Sequence, residues 1–227
     1  RVIQMGEDPK RVYNVGALGL ENIRRLKLLH KKEIEQAIGV ELGPKSLLVV
    51  WHPVTLGREA SWLQLELILD VLDKLQDTTL IFTKSNADPE GPTINKLIDD
   101  FVSCHKETSV VHTSLGQVNY LSLLKYVDGI VGNSSSGIIE APSLKTGTVN
   151  IGSRQRGRVR AKSVIDCDLN RVSIRVAVNQ LYCKQFRYTL KTVENPYGDG
   201  EVSTKIIAVL KDVCFKNVLM KSFYDYP

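Results

Sequence analysis

The chain has 227 residues, of which 43% are hydrophobic and 24% charged, with a formal net charge of +5. That is an ordinary globular composition with enough apolar residue for one large core. No apolar run in these residues approaches the ~18–20 residues that a membrane-spanning helix needs.

The opening residues, RVIQMGEDPKR, are charged and lack the apolar centre of a secretory signal. Without an initiator Met they read as part of a longer chain. From there, short apolar runs rich in β-branched residues read as strands: Val12 to Val15, Ser46 to His52, Thr79 to Thr83, Ser109 to Thr113, Gly129 to Gly132 and Gly147 to Gly152. Most are continuous rather than alternating, as strands buried on both faces of a parallel sheet are. Helical patterns fall between them. Arg58 to Gln76 sets Trp62, Leu65, Leu69, Leu72 and Leu75 on one stripe, and Pro92 to Val102 does the same with Ile94, Leu97, Ile98 and Phe101. Val118 to Val127 and Gly137 to Leu144 are shorter. Toward the end, Asn170 to Tyr182 and Glu201 to Val213 are amphipathic, the second preceded by the turn cluster NPYGDG. Strand and helix alternate, which predicts an α/β fold with a Rossmann-like open parallel sheet.

The four cysteines, Cys104, Cys167, Cys183 and Cys214, form neither a CxxC pair nor a Cys/His ligand cluster. They read as reduced thiols of a cytoplasmic protein, with no metal site. The positive charge is mild and concentrated in RQRGRVRAK (Arg154 to Lys162). In an extended segment its alternate basic residues share one face, suited to an anionic ligand through bidentate guanidinium contacts. The same pattern also fits a solvated edge that discourages strand pairing.

The stretch GNSSSGIIEAP (Gly132 to Pro142) looks like a linker yet follows a buried strand. In an open α/β sheet ligands bind beyond the carboxyl ends of the strands. A Gly/Ser loop there offers hydroxyls and free N–H groups to phosphate. It matches neither a Walker loop nor GxGxxG, and a serine that only caps the following helix fits as well. Glu140, one turn on, suits a ribose diol or plain solvent. His52 closes a strand, and the segment Thr83 to Asp88 follows one. His52 is a candidate for the same crevice, and Asn86 with Asp88 reads as an Asx turn.

Taken together, RVIQMGE, NVGALGLENI, HPVTLG, SNAD, SLGQVNYLSLLK, GNSSSGIIEAPS, TVNIGSRQRGR and NPYGDG span almost the whole chain. In that order they resemble the hydrolysing UDP-N-acetylglucosamine 2-epimerases of sialic and nonulosonic acid synthesis. The resemblance implies a GT-B arrangement of two Rossmann-like domains, with this chain as the carboxyl-terminal, UDP-binding one. Residues 1–11 are then a linker or the end of the preceding domain, 12–200 the UDP-binding domain, and 201–227 a terminal helix packing back toward the amino-terminal domain. It implies that Ser134 and Ser135 contact the UDP phosphates, that Glu140 lies at the ribose, Arg154 and Asn133 at the nucleotide site and Leu115 and Tyr120 in the loop that holds the uracil, and that His52, at the diphosphate and sugar side of the cleft, is the catalytic candidate, as acid/base or as phosphate contact. The implied reaction removes the C2 proton, expels UDP through a glycal and adds water, giving N-acetylmannosamine without metal or redox cofactor. The main acid/base carboxylates are expected in the amino-terminal domain, so the chain alone is expected to be inactive. No nucleic acid or membrane partner is implied, and the full-length protein is expected to be a homodimer. A UDP-2,4-diacetamido-sugar substrate, a GT-B glycosyltransferase or a nucleic-acid-binding module using the basic segment are the competing readings.

Overall fold

The computed structural model describes residues 1–54, 60–86, 89–214 and 220–225. Among them the chain forms two compact units: Arg25–Pro196, and Arg1–Arg24 together with the described residues from Tyr197 onward. In chain order the helices and strands are α1 (Glu21–Arg25), α2 (Lys31–Ile38), β1 (Lys45–Val50), α3 (Ser61–Leu72), β2 (Thr78–Thr83), α4 (Gly91–Cys104), β3 (Ser109–His112), α5 (Gly116–Leu124), β4 (Gly129–Gly132), α6 (Ser136–Ile139), β5 (Gly147–Ile151), β6 (Val164–Cys167), α7 (Arg171–Leu181), α8 (Lys184–Thr192) and α9 (Val202–Asp212). Short 3-10 turns precede α1, and another, Ala141–Leu144, follows α6 where Pro142 ends the helix.

All six strands are parallel, in the order β3-β2-β1-β4-β5-β6. The predicted doubly wound sheet is therefore present. Every residue of β2, β4 and β5 is buried, as continuous apolar runs require. One face of the sheet packs Leu47, Val49, Phe82, Val131, Val149 and Ile165 against the stripes of α3 (Leu65, Ile68, Leu69, Leu72), α4 (Ile94, Ile98) and α7 (Ile174, Ala177, Val178, Leu181). Each such large side chain contributes about 1.5–3 kcal/mol through burial. Outside that cluster α6 packs on β5, and α2 packs on α5. Gly129 and Gly147 sit under Leu181, where an added Cβ would lie 2.9 and 2.7 Å from its methyl carbons.

Two strand expectations need correcting. Val12 to Val15 is not a strand: Val12 closes the 3-10 turn Pro9–Arg11 through a 3.3 Å bond to the Pro9 carbonyl, and Tyr13 is exposed. Conversely β6 went unread because VIDC is short, half polar and at the edge. The helix expected from Arg58 starts at Ser61 in the described residues, and Arg58 and Asp88 lie outside them.

In the second unit, Glu21 is buried and accepts from the Ser203 backbone N–H at 3.1 Å and from its hydroxyl, while Arg24 pairs with Glu201 at 2.7 Å. These contacts hold the first turn of α9. Among the described residues no helix is long and apolar enough to cross a membrane.

Candidate functional site

The chain leaves β1 toward β2 on one side and leaves β4 toward β5 on the other, so the carboxyl ends of these two neighbours open the crevice at the switch point. The backbone there is very tight. Gly132 has φ +141°, and a Cβ built on it would lie 2.0 Å from the Val50 carbonyl oxygen. Asn133 follows, fully buried, and staples the two loops together. Its Oδ1 accepts from the His52 backbone N–H at 2.8 Å, its Nδ2 donates to the His52 carbonyl at 2.8 Å, and its own N–H donates to Val50 at 3.2 Å. Further along the first loop, the Val54 N–H donates to the Ser61 hydroxyl at 2.9 Å, and the Ser61 N–H to Glu90 at 2.7 Å. The loop after β1 is thus fastened at both ends of its described part.

Beyond Asn133 the chain turns into α6. Ser134 Oγ accepts from the Ser136 N–H at 3.3 Å, the local capping that a serine offers. Ser135 occupies the N-cap position but its side chain makes no capping bond. The backbone N–H groups of Ser134 and Ser135 meet no acceptor among the described residues. Paired donors of this kind, beside hydroxyls, form a concave anion-binding surface. Gly137 lets this turn press on β5: a Cβ there would lie 2.5 Å from Thr148 Cγ2, and the Thr148 hydroxyl donates to the Gly137 carbonyl at 2.7 Å.

Tyr120 on α5 and Glu140 just after α6 stand near the Ser134–Ser136 turn. Burial pushes the Tyr120 phenol up to about 12, the Glu140 charge adding to the rise while the Ser136 and Ser134 hydroxyls act against it. Four of these groups therefore share one neighbourhood. Burial also raises the Glu140 carboxyl, with Ser136 partly offsetting it, and Glu140 Oε2 is buried and meets no hydrogen-bond partner among the described residues. A carboxyl raised in the folded state favours the fold only below the ordinary glutamate range and penalises it increasingly above. Glu140→Gln is expected to stabilise the unliganded protein by about 1 kcal/mol near neutral pH, the scale of one unsatisfied buried acceptor. Thermal unfolding should show that advantage shrinking as the pH falls through the glutamate range.

The basic segment departs from its expected form. Residues 152–158 are turns rather than an extended strand, with the Arg156 N–H donating to Ser153 at 2.9 Å and that of Arg158 to Gln155 at 3.3 Å. Its arginines consequently diverge. Arg154 bends back, Nη1 donating to the Asn133 carbonyl at 3.1 Å. Arg160 instead pairs with Asp166 at 2.8 Å, while Asn150 donates to the same carboxylate at 2.6 Å. The turn is driven by glycines with left-handed φ, Gly152 at +75° and Gly157 at +79°.

The structure thus brings His52, Asn133, Ser134, Ser135 and Arg154 together at one end of the crevice, and Tyr120 and Glu140 beside Ser134 and Ser136. Leu115 is buried at the start of α5, before the left-handed Gly116. Asn86 is exposed at the end of β2. One residue escaped the sequence reading. Gln155, only 2% exposed, donates from Nε2 to the Asn133 carbonyl at 2.8 Å. Its one available signal was an uncharged amide inside a run of arginines. A separate cleft of about 890 Å³ opens beside α7, lined by Trp51, Ile151, Arg156, Arg160, Asp166 and Ser173 among others. Arg156 and Arg160 of the basic segment line it, whereas His52, Leu115, Tyr120, Asn133, Ser134, Ser135, Glu140 and Arg154 do not.

An all-parallel sheet in this strand order, with a Ser-rich loop at the switch point, places the unit Arg25–Pro196 among the Rossmann-like doubly wound α/β domains. The chain belongs to the UDP-N-acetylglucosamine 2-epimerase family, whose model matches residues 1–211. Over 226 residues it is 38% identical to the GDP/UDP-N,N'-diacetylbacillosamine 2-epimerase (hydrolyzing) of Campylobacter jejuni, covering 99% of this chain and 58% of that protein. It is likewise 38% identical to the polysialic acid biosynthesis protein P7 of Escherichia coli, covering 100% of this chain and 58% of the relative. The chain therefore spans little more than half the length of these relatives. Among solved structures, the S. aureus MnaA-UDP co-structure shares the fold with a TM-score of 0.72 at 16% identity, over 100% of this chain and 60% of the other.

Proposed function

We propose that this chain is the UDP-binding part of a hydrolysing UDP-sugar 2-epimerase. The observation that carries the reading is the convergence of the Asn133 to Ser136 segment, Arg154, Tyr120 and Glu140 on one switch-point crevice, in a chain of this family. In this reading the Ser134 and Ser135 N–H and hydroxyl groups and Arg154 hold the diphosphate. Glu140 accepts from the ribose hydroxyls, Leu115 and Tyr120 border the uracil, and His52 faces the sugar side. Asn133 spends its side chain on the His52 backbone, so it serves the ligand by fixing the two loops.

The reaction has three parts: loss of the C2 proton, departure of UDP from C1 to give a glycal, and addition of water. Proton removal needs a positioned base, and departure of UDP needs hydrogen bonds and positive charge on the diphosphate. The residues named here serve the second need, and the base belongs to the amino-terminal half of the enzyme. Elimination and hydration are redox-neutral, so the chemistry requires no electron carrier. Release of N-acetylmannosamine by residues 1–227 alone would overturn that division of labour.

The substituent at C4 separates two substrates. The name of the Campylobacter relative favours a UDP-2,4-diacetamido sugar, and the family description favours UDP-N-acetylglucosamine. Incubating the full-length protein with each substrate in water distinguishes them. The expected result is release of UDP and a free 2-epimerised sugar, with the diacetamido substrate turned over faster. A faster reaction with UDP-N-acetylglucosamine would reverse the substrate choice. Retention of the sugar–UDP bond with both would sink the hydrolysing reading.

A further inference from the structure

We infer that Gln155 is a positioning residue for the diphosphate cradle, acting through the Asn133–Ser134 peptide. The Asn133 carbonyl accepts two hydrogen bonds, 2.8 Å from Gln155 Nε2 and 3.1 Å from Arg154 Nη1. A carbonyl so anchored fixes its peptide plane, and in a trans peptide the next N–H points the opposite way. The Ser134 N–H is thereby turned away from Gln155. It meets no acceptor among the described residues. If the carbonyl rotated, that donor would rotate with it, and the Ser135 N–H beyond would lose its fixed frame. Catalytic and binding donors are effective when they are oriented before the ligand arrives.

The amide orientation follows from chemistry, since only the NH2 end can face a carbonyl oxygen. Its other end is telling. Gln155 Oε1 is buried and meets no hydrogen-bond partner among the described residues. A half-satisfied buried amide is a poor choice for stability, and an apolar side chain of the same length would remove the orphaned oxygen. Residues that oppose stability in this way are expected where function fixes them. The backbone carbonyl of Gln155 also accepts from Arg160 Nη2 at 3.2 Å, and Arg160 is held by Asp166, so the residue stands on a rigid turn.

The inference rests on the UDP reading of the loop, and the test keeps the two apart. UDP is titrated calorimetrically into the full-length protein as wild type, Gln155→Met and Gln155→Glu, with thermal unfolding of each. Gln155→Met is expected to melt close to wild type and to bind UDP about tenfold more weakly, the equivalent of one hydrogen bond. A purely structural role predicts the reverse, a lowered melting point with unchanged affinity, and that result would overturn the inference while leaving the UDP site intact. Gln155→Glu sets a carboxylate against the carbonyl at high pH and a donating carboxylic acid at low pH. Its affinity relative to wild type should therefore recover as the pH falls, and a flat ratio overturns the inference even if the methionine variant fails to fold. Failure of the wild type to bind UDP would overturn the nucleotide reading and this inference with it.

Discussion

Gly132→Ala should yield almost no folded protein. The added methyl would stand 2.0 Å from the carbonyl oxygen of Val50, and the residue's φ of +141° is one that L side chains rarely adopt. Neither strain has an outlet. Gly132 pairs with both Val50 and Asn150 at the centre of the sheet, so moving it breaks two ladders. Moving Val50 instead disturbs the strand that carries His52. A destabilisation above ~4 kcal/mol is expected, in the range reached only by mutations with a named steric or polar defect, and comparable with the whole stability of a domain. Soluble yield and thermal unfolding check it. A variant that melts within a few degrees of wild type would mean that the β1–β4 junction is looser than its geometry indicates. The control is Gly39→Ala, where nothing lies within 4 Å of the added methyl and only the positive φ of +72° is strained. It should cost about 1 kcal/mol.

That one position shows why parts of this molecule were readable from sequence and others were not. GIVG reads as a buried strand with a glycine at its end, and β4 has those bounds. Apolar runs fixed by burial on both faces, such as β1, β2 and β5, declare themselves because every residue answers to the same environment. Elements held by one contact do not. In α8, KQFRYTLKT, only Phe186 is buried, and in α2 only Ile34 and Ile38 are, so neither carries a stripe long enough to read. Val12 to Val15 has strand-like residues without a partner strand among the described residues, a fact no local pattern contains.

The site divides along the same line. Its location followed from the strand–loop–helix order, since a switch point is a property of topology. The divergence of Arg154 and Arg160 was hidden, because alternate spacing implies one shared face only while the chain is extended, and Gly152 and Gly157 curl it. The roles of Asn133 and Gln155 were hidden more deeply. Both act on backbone groups, His52 in one case and the Asn133 carbonyl in the other, and the sequence does not state where a carbonyl points.

Arg154→Ala is expected to produce the largest loss of ligand binding, a drop of about 10- to 100-fold in UDP affinity, the range for removing a charge-assisted hydrogen bond. Two effects combine. The guanidinium lies against the loop that offers the Ser134 and Ser135 N–H groups, so its removal takes positive charge from the place where the diphosphate would sit. It also takes away one of the two donors that hold the Asn133 carbonyl, leaving Gln155 alone to fix that peptide. Arg154→Lys separates the contributions. A lysine restores the charge but is a compact point donor that cannot reach a carbonyl and a phosphate in one planar fork. If charge alone mattered, Lys would recover most of the affinity, and the salt dependence of binding would return with it. The geometry predicts only partial recovery. Combining Arg154→Ala with Gln155→Met should then cost more than the sum of the single losses, because the first substitution leaves the second donor as the sole restraint on the peptide. Strict additivity in that double-mutant cycle would show that the two side chains act independently, and that Arg154 works on the ligand rather than through the Asn133 carbonyl.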